Sequence, residues 1–334
     1  MSSLTAARPG PTAPVPVLEI GGSHVTAALV DLPAAEVLPG SIRHELSASG
    51  TESDILEAII ACALAVPAPE GAPWGVAIPG PFDYQRGVGL FTGVGKFDSL
   101  YGVDMGAALA AGLPGHPGPI RFLNDAYAFA RGESLFGAAV GHDRCVGITL
   151  GTGVGSAFLA DGTVCDRGPA VPPEGRVDLL RIDGQPLEDV VSSRAIRRAY
   201  QQRTGTPPPD VAWIAQRVSL GDMTAANVLR TAFERLGEAL GPWLASFGAT
   251  MLVVGGSMTG SWNLIKPALE AGIGRTDGPS ASLAIAISVA ARGNDAALLG
   301  AAAYACAPGT LIHSERVKRP ATVPSETRSG RGEA

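Results

Sequence analysis

A carboxylate and two glycine turns are the residues in this chain whose types and spacing could do chemistry. Asp125 follows Asn124 at the end of the apolar run Ile120–Leu123. A carboxylate at a strand end can accept the proton of a hydroxyl, itself a poor nucleophile. Asn124 and Asp125 also suit the N-cap of the helix expected after them, and the two roles are compatible. The segment Val17–Asp31 carries Gly21-Gly22-Ser23 at its centre, and it recurs in outline as Gly147–Asp161 around Gly151-Thr152-Gly153. Each copy reads as an apolar strand, a tight turn and a second strand running to an Asp. Two such turns facing each other across a cleft can offer backbone N–H groups to a chain of phosphates, because glycine lets the backbone come close to an anion. A glycine turn can also do no more than close a hairpin.

The elements that must hold these residues alternate strand and helix. After the first hairpin, helical apolar spacing predicts a helix over Ile55–Ala65, and Trp74–Pro81 reads as a buried strand ending in a rigid turn. A short helix over Met105–Leu113, the strand Ile120–Leu123 and a helix over Ala126–Ala139 follow. Beyond the second hairpin the pattern predicts a helix over Pro186–Tyr200, a long amphipathic one over Ala225–Phe247, and the strand Thr250–Ser257 entering the glycine turn Gly255-Gly256. A helix through Lys266, a strand over Leu283–Ala290 and a helix over Ala296–Cys306 complete the chain. At 334 residues it exceeds the usual size of one hydrophobic core. The expectation is therefore two α/β domains with a cleft between them: residues 15–125, completed by the last helix at about 291–310, and residues 126–290. Residues 1–14 and 314–334, rich in Ser, Thr, Pro and Gly, read as disordered tails.

Composition narrows the function classes. A hydrophobic content of 46% supports substantial cores, while a net charge of −6 argues against a nucleic-acid partner, which needs a basic face. No apolar run approaches the roughly 20 residues of a membrane span, and the N-terminus lacks the pattern of a secretory signal, so the expected location is cytoplasmic. Cys62, Cys145, Cys165 and Cys306 stand far apart and read as small buried hydrophobes; the five histidines are equally scattered.

Five segments occur in one order: Glu19 to Ser23; Gly75 to Pro81; Asn124-Asp125-Ala126 with Gly132-Glu133; Leu150 to Gly155; and Val254-Gly255-Gly256. In this the chain, from about Val17 to Ala305, resembles the ROK family of sugar kinases and sugar-responsive repressors within the actin/hexokinase superfamily. The resemblance implies two actin-like (ribonuclease H-like) domains with an interdomain active-site cleft, Asp125 as catalytic base, and ATP phosphates surrounded by Gly21, Gly22, Ser23, Gly151, Thr152 and Gly153. It implies that Gly255 and Gly256 border the adenosine, and that Gly80, Asn124, Glu174 and Glu188 meet the substrate. Glu19 stands where relatives have Asp, and would hold Mg²⁺ indirectly through water. The implied partners are ATP and a small-molecule polyol, with no membrane, polyphosphate as the alternative donor, and a homodimer as the assembly considered. The repressors of the family place a helix-turn-helix ahead of the first glycine hairpin, and here that hairpin starts at about Val15, so a kinase is expected over a sugar-binding regulator.

Two departures bear on the acceptor. Where many relatives carry Glu-x-Gly-His and a cysteine-rich zinc loop, this chain has Glu174-Gly175-Arg176-Val177-Asp178 with Arg176 in the histidine's place, so no structural zinc is expected. The segment Gly93 to Phe97, followed by Tyr101 to Asp104, departs from the Asn-containing loop common in glucose kinases. It resembles the branch of C7-cyclitol 7-kinases of aminocyclitol antibiotic pathways, which implies phosphorylation of the hydroxymethyl group of a valiolone- or valienone-type ring. Glucokinase or another hexose or N-acetylhexosamine kinase is the alternative.

Overall fold

The computed structural model describes residues 13–113, 117–275 and 285–307. Most of both expected tails, the start of the last expected strand and the end of the last expected helix lie outside the described residues.

The first half contains β1 (Val15–Ile20), β2 (His24–Asp31), β3 (Glu36–Val37), β4 (Ile42–Glu45), α1 (Glu52–Leu64), β5 (Trp74–Ile78), β6 (Phe82–Asp83), β7 (Val88–Gly89), α2 (Met105–Gly112), β8 (Ile120–Asn124) and α3 (Asp125–Phe136). The second contains β9 (Arg144–Leu150), β10 (Val154–Ala160), β11 (Thr163–Val164), β12 (Arg181–Ile182), β13 (Gln185–Pro186), α4 (Glu188–Val191), α5 (Ser193–Thr204), α6 (Val211–Ser219), α7 (Met223–Phe247), β14 (Met251–Gly255), α8 (Trp262–Gly274), β15 (Ala286–Val289) and α9 (Asp295–Cys306).

The repeat seen in the sequence is a repeat of sheets. One sheet runs β3-β2-β1-β5-β8 with β4 also on β2; the other runs β11-β10-β9-β14-β15. In each, an antiparallel hairpin continues into two further strands parallel to the hairpin's first strand. Side chains alternate faces along a strand, and the alternation sorts the core into layers. Leu18, Ile20, Val76 and Ile78 pack in one cluster with Ile55 and Ile59 of α1, whereas Val17 and Ala77 join α3 and α9. From the other sheet Cys145, Ala157 and Val253 face the same α3–α9 layer, while Val146, Ile148, Leu252 and Val254 pack with Leu236 and Leu240 of α7.

The α3–α9 layer is tight because Gly132 and Gly300 have no side chains. A Cβ on Gly132 would strike the carbonyl of Ala296, and one on Gly300 that of Ala128. The helices therefore touch backbone to backbone between the two sheets. Glu133 locks the end of this layer. Its carboxylate, fully buried, accepts the N–H groups of Ala138 (2.7 Å), Ala291 (3.0 Å) and Arg292 (2.8 Å), joining the end of α3 to the connection before α9.

Three sequence expectations are corrected. The helix expected over Pro186–Tyr200 is interrupted: Ser192 is extended (φ −67°, ψ 157°), caps α5 by accepting the Ala195 N–H, and leaves α4 as a single turn. The helix expected to reach Ala139 stops at Phe136, where the Glu133 carboxylate takes the Ala138 N–H. Of the four cysteines only Cys62 and Cys145 are buried; Cys165 and Cys306 are partly exposed.

Candidate active site

The ends of β8 and β5 build the floor of the site. In parallel register Ile78 lies beside Asn124, so the chain leaving β8 starts α3 next to the turn leaving β5. Asn124, not Asp125, is the N-cap: its Oδ1 accepts the N–H groups of Ala126 (3.0 Å) and Tyr127 (3.2 Å). Its Nδ2 donates to the Tyr84 hydroxyl at 3.1 Å, and that hydroxyl donates to the Ile78 carbonyl at 3.3 Å. Both Oδ1 lone pairs are thus taken, and the second amide hydrogen faces the Asp125 carboxylate, whose charged form it favours. Gly80 lies against the same tyrosine, since a Cβ there would sit 3.3 Å from its hydroxyl.

Asp125, freed from capping, is the first helical residue, and its Oδ1 accepts the Ala126 N–H at 2.9 Å. Burial pushes its carboxyl above the ordinary Asp range; the charge of Lys96 and the backbone N–H groups at the helix start pull the other way. Burial also raises the Tyr84 phenol, so that hydroxyl stays a donor.

The β1–β2 turn is open. Gly21 N–H donates to the His24 carbonyl at 2.8 Å, while Ala48 N–H donates to the Gly22 carbonyl and Leu46 N–H to that of Ser23, at 3.2 and 3.0 Å. These bonds fix the turn from below. A Cβ on Gly22 would meet nothing within 4 Å, and Ser23 is exposed, its hydroxyl 3.2 Å from His24 Nδ1. Just before the turn, Glu19 is partly buried and its carboxyl is pushed up to about 7, first by burial, then by the negative charge of Asp125, with Arg43 opposing and Asp295 adding. A carboxylate raised by a neighbouring acid is one whose charge a divalent cation would stabilise. The donor chemistry fits Mg²⁺, a hard oxygen-seeking ion that keeps several waters beside one or two carboxylates and phosphate oxygens. Glu19 is the residue that would hold it through water.

The β9–β10 turn is packed. Gly151 N–H donates to the Gly153 carbonyl at 3.0 Å, and the Gly151 carbonyl accepts from Ser193 at the start of α5 at 2.9 Å. This bond is the reason the chain bends at Ser192. Thr152 is exposed at the tip. A Cβ on Gly151 would lie 3.7 Å from Ser257 Oγ, and one on Gly153 3.5 Å from Glu188 Oε1. The turn after β14 closes behind it: Gly256 has φ +93°, and a Cβ there would come 2.7 Å from Leu150 N and closer to its carbonyl. Beyond Gly256 a groove of about 420 Å³ runs between α6 and the start of α8, lined by Ala212, Gln216, Gly260, Ser261 and Asn263.

Glu188 begins α4 beside this turn, half-buried, with Arg194 Nη2 donating to its Oε1 at 3.3 Å. Burial and the charge of Asp178 raise its carboxyl, and Arg194 and Lys96 oppose them. Glu174 is placed differently. Its side chain is 73% exposed on a left-handed residue (φ 57°), and Arg176 Nη1 lies 3.7 Å away. Arg176 itself is clamped by Asp178, with Nε to Oδ1 at 3.2 Å and Nη2 to Oδ2 at 2.6 Å. The Ser156 hydroxyl pins this loop by donating to the Gly175 carbonyl (2.7 Å) and accepting the Val177 N–H (3.0 Å).

Glu188 thus borders the second turn, Asp125 lies within electrostatic reach of Glu19 before the first, and the charge of Lys96 acts on both Asp125 and Glu188; Asn124 and Gly80 stand on the tyrosine side, and Glu174 lies at the solvent edge. Sequence reading missed Tyr84, Lys96, Ser156 and Asp178. The spacing of Arg176 and Asp178, two apart in a loop, is the one local signal that could have marked a bidentate pair.

The model of the ROK family matches residues 16–176 and 182–307. A glucokinase of Thermotoga maritima is 28% identical over 266 residues, 72% of this chain and 81% of its own. Among solved structures, a ROK family glucokinase from Streptomyces griseus in complex with glucose and AMPPNP superposes with a TM-score of 0.70 at 23% identity, covering 87% of this chain and 98% of that one. A ROK hexokinase from Thermus thermophilus superposes with a TM-score of 0.67 at 23% identity, covering 86% and 96%.

Proposed function

Since the chain belongs to the ROK family, we propose that it is an ATP-dependent carbohydrate kinase whose acceptor is the hydroxymethyl group of a sugar-like polyol. The observation that carries the reading is a partly buried carboxylate, Asp125, released from capping at the start of α3, whose charge reaches Glu19 before the first glycine turn and which shares the field of Lys96 with Glu188 beside Gly153. An acid that has given up its capping role to Asn124 is free to take a proton. Asp125 accepts the acceptor's hydroxyl proton as the phosphoryl group transfers, a contribution typically of about 10²–10⁴ in rate. Glu188 and Asn124 meet ring hydroxyls beside Gly80, the Asn124 amide turning from Asp125 to the acceptor as it binds, with Glu174 at the rim. Gly22 and Ser23 on one side, and Thr152 and Gly153 on the other, direct N–H groups at the phosphates; Gly21 and Gly151, whose own N–H groups close their turns, let the backbone come close, and Gly255 and Gly256 border the adenosine and the groove beyond them. Mg²⁺, when bound, neutralises phosphate charge, and Glu19 orients its water shell. Residues 15–125 with the last helix and residues 126–290 act as two domains that close over the ligands and exclude water.

The finer reading is a C7-cyclitol 7-kinase. It is supported by the Arg176–Asp178 clamp, which commits to an internal ion pair two groups at the pocket end where glucose-phosphorylating relatives use Glu-x-Gly-His. Sites that hydrogen-bond a ligand hydroxyl discriminate strongly when it is missing, so a pocket rebuilt at that end suits a ring without an ordinary anomeric centre. The Thermotoga glucokinase likeness favours glucose as the second reading. Steady-state rates with a valiolone-type cyclitol, glucose and N-acetylmannosamine, each with ATP and with polyphosphate, test both. A kcat/KM for glucose at or above that of the cyclitol overturns the cyclitol assignment, and no transfer to any polyol overturns the kinase.

A further inference from the structure

Lys96 is a cation without a partner in the middle of this site. Among the described residues its ammonium makes no hydrogen bond and no ion pair, yet the side chain is partly buried while Thr92 to Gly95 before it are exposed. Its loop is held rigidly. Gly93, Gly95 and Phe97 all have positive φ (67°, 72° and 60°), the last an unfavourable choice for an aromatic residue that tertiary contacts must repay. Phe97 is fully buried against Phe91, ring centroids 5.3 Å apart, and Ser99 donates to the Gly50 carbonyl at 2.9 Å.

The backbone bonds also fix where the loop stands. Phe97 N–H donates to the Ala48 carbonyl at 2.6 Å, and Ala48 N–H donates to the Gly22 carbonyl, so Lys96 is one residue and two hydrogen bonds from the first glycine turn. On the other side its charge acts on both Asp125 and Glu188, and Glu188 borders Gly153 of the second turn. A cation on a loop tied to the first glycine turn therefore acts on the proposed base and on the carboxylate that borders the second.

We propose that Lys96 is a catalytic residue that donates to the oxygens of the phosphoryl group in flight. The inference rests on the kinase reading above. In the step, a bond forms from the acceptor oxygen to the γ-phosphorus as the bond from that phosphorus to the β,γ-bridging oxygen breaks. The hydroxyl proton passes to Asp125, and the leaving electron pair stays on the nucleoside diphosphate. Lys96 exchanges no proton in the step; it faces charge spread over the equatorial oxygens, where a positioned donor acts most strongly.

The test replaces Lys96 by Met, which keeps the length of the stem and loses the charge, and by Arg, which keeps the charge. For Lys96→Met, kcat is expected to fall by about 10²–10³, the usual cost of removing one such donor, with KM for ATP and for the polyol each within severalfold. Lys96→Arg is expected to recover part of the rate. Binding of ADP with aluminium fluoride and the polyol should weaken in Lys96→Met while ADP alone binds as in the wild type, which a merely structural role would not produce. A raised polyol KM with unchanged kcat would make Lys96 a ground-state acceptor contact and overturn the proposal; so would a wild-type kcat in the Met variant, with the kinase reading left standing. Absence of transfer by the wild-type protein to any polyol removes the kinase reading, and this inference with it.

Discussion

The β1–β2 and β9–β10 hairpins hold the same place in their sheets, yet they end differently: Ile20 pairs with Val25 across four residues, and Leu150 with Val154 across three. Above the first, Gly22 meets open space, and the nearby acids Glu19 and Asp125 raise one another's energy. Around the second, Ser193, Ser257, Glu188 and the Gly256 turn crowd in. The first turn is open beside the more strongly raised acid, and the second is packed. On the function proposed above, the open end would serve the reacting groups and the packed end would hold the ligand, with the α3–α9 layer, fastened by Glu133, between the two sheets.

The largest effect should come from breaking the reacting end. Asp125→Asn keeps the Ala126 N–H bond available to its side-chain oxygen and leaves the Asn124 cap alone, so the fold should survive. The variant cannot take a proton, and kcat is expected to drop by about 10²–10⁴ with KM for ATP and polyol within severalfold, read by steady-state kinetics. Near-normal turnover would remove Asp125 from the mechanism.

Breaking the holding end should look different. Gly256→Ala puts a Cβ at φ +93° against the backbone of Leu150, which cannot swing aside as a side chain could. Strain of this kind costs on the order of 1–3 kcal/mol. The expected outcome is a lower Tm together with a raised KM for ATP, and a kcat closer to the wild type than that of Asp125→Asn. If the Ala variant instead lost kcat at unchanged KM, the division of labour between the two ends would be wrong.

The division was partly legible in the sequence. Both hairpins are visible because a glycine turn between two apolar runs is a local pattern, and α7 because its apolar stripe persists from Ala225 to Phe247. Asp125 is visible by its place after a strand. The break at Ser192 is not: a serine in a helical pattern gives no sign that the next residue must donate to Gly151, some forty residues back. Tyr84 and Lys96 are hidden for the same reason. Each is carried to the site by a short hairpin or a left-handed loop whose path depends on distant contacts, Phe97 on Ala48 and Tyr84 on Asn124. Glu133 was visible only as part of a motif, without its task.

The smallest effect sharpens the comparison most, because it reads the strain of the reacting end in the absence of turnover. The Glu19 carboxyl has an ordinary value of 4.5 and is pushed up to about 7 in the folded protein. A raised acid holds its proton more tightly when folded, so its contribution to stability is fully present below pH 4.5 and is lost as pH rises through about 7. Glu19→Gln mimics the protonated form at every pH. The ligand-free variant should therefore melt with the wild type near pH 4 and above it at pH 8, the gap opening between about pH 4.5 and 7, where the unfolded carboxyl is ionised while the folded one still holds its proton. Adding Mg²⁺ with ATP at pH 8 should reverse the order, since the wild-type carboxylate then has a cation to face and the amide does not. Melting curves that run parallel across this range, with and without Mg²⁺ and ATP, would mean that the Glu19 end is as well satisfied as the Gly256 end, and the contrast between the two hairpins would reduce to packing alone.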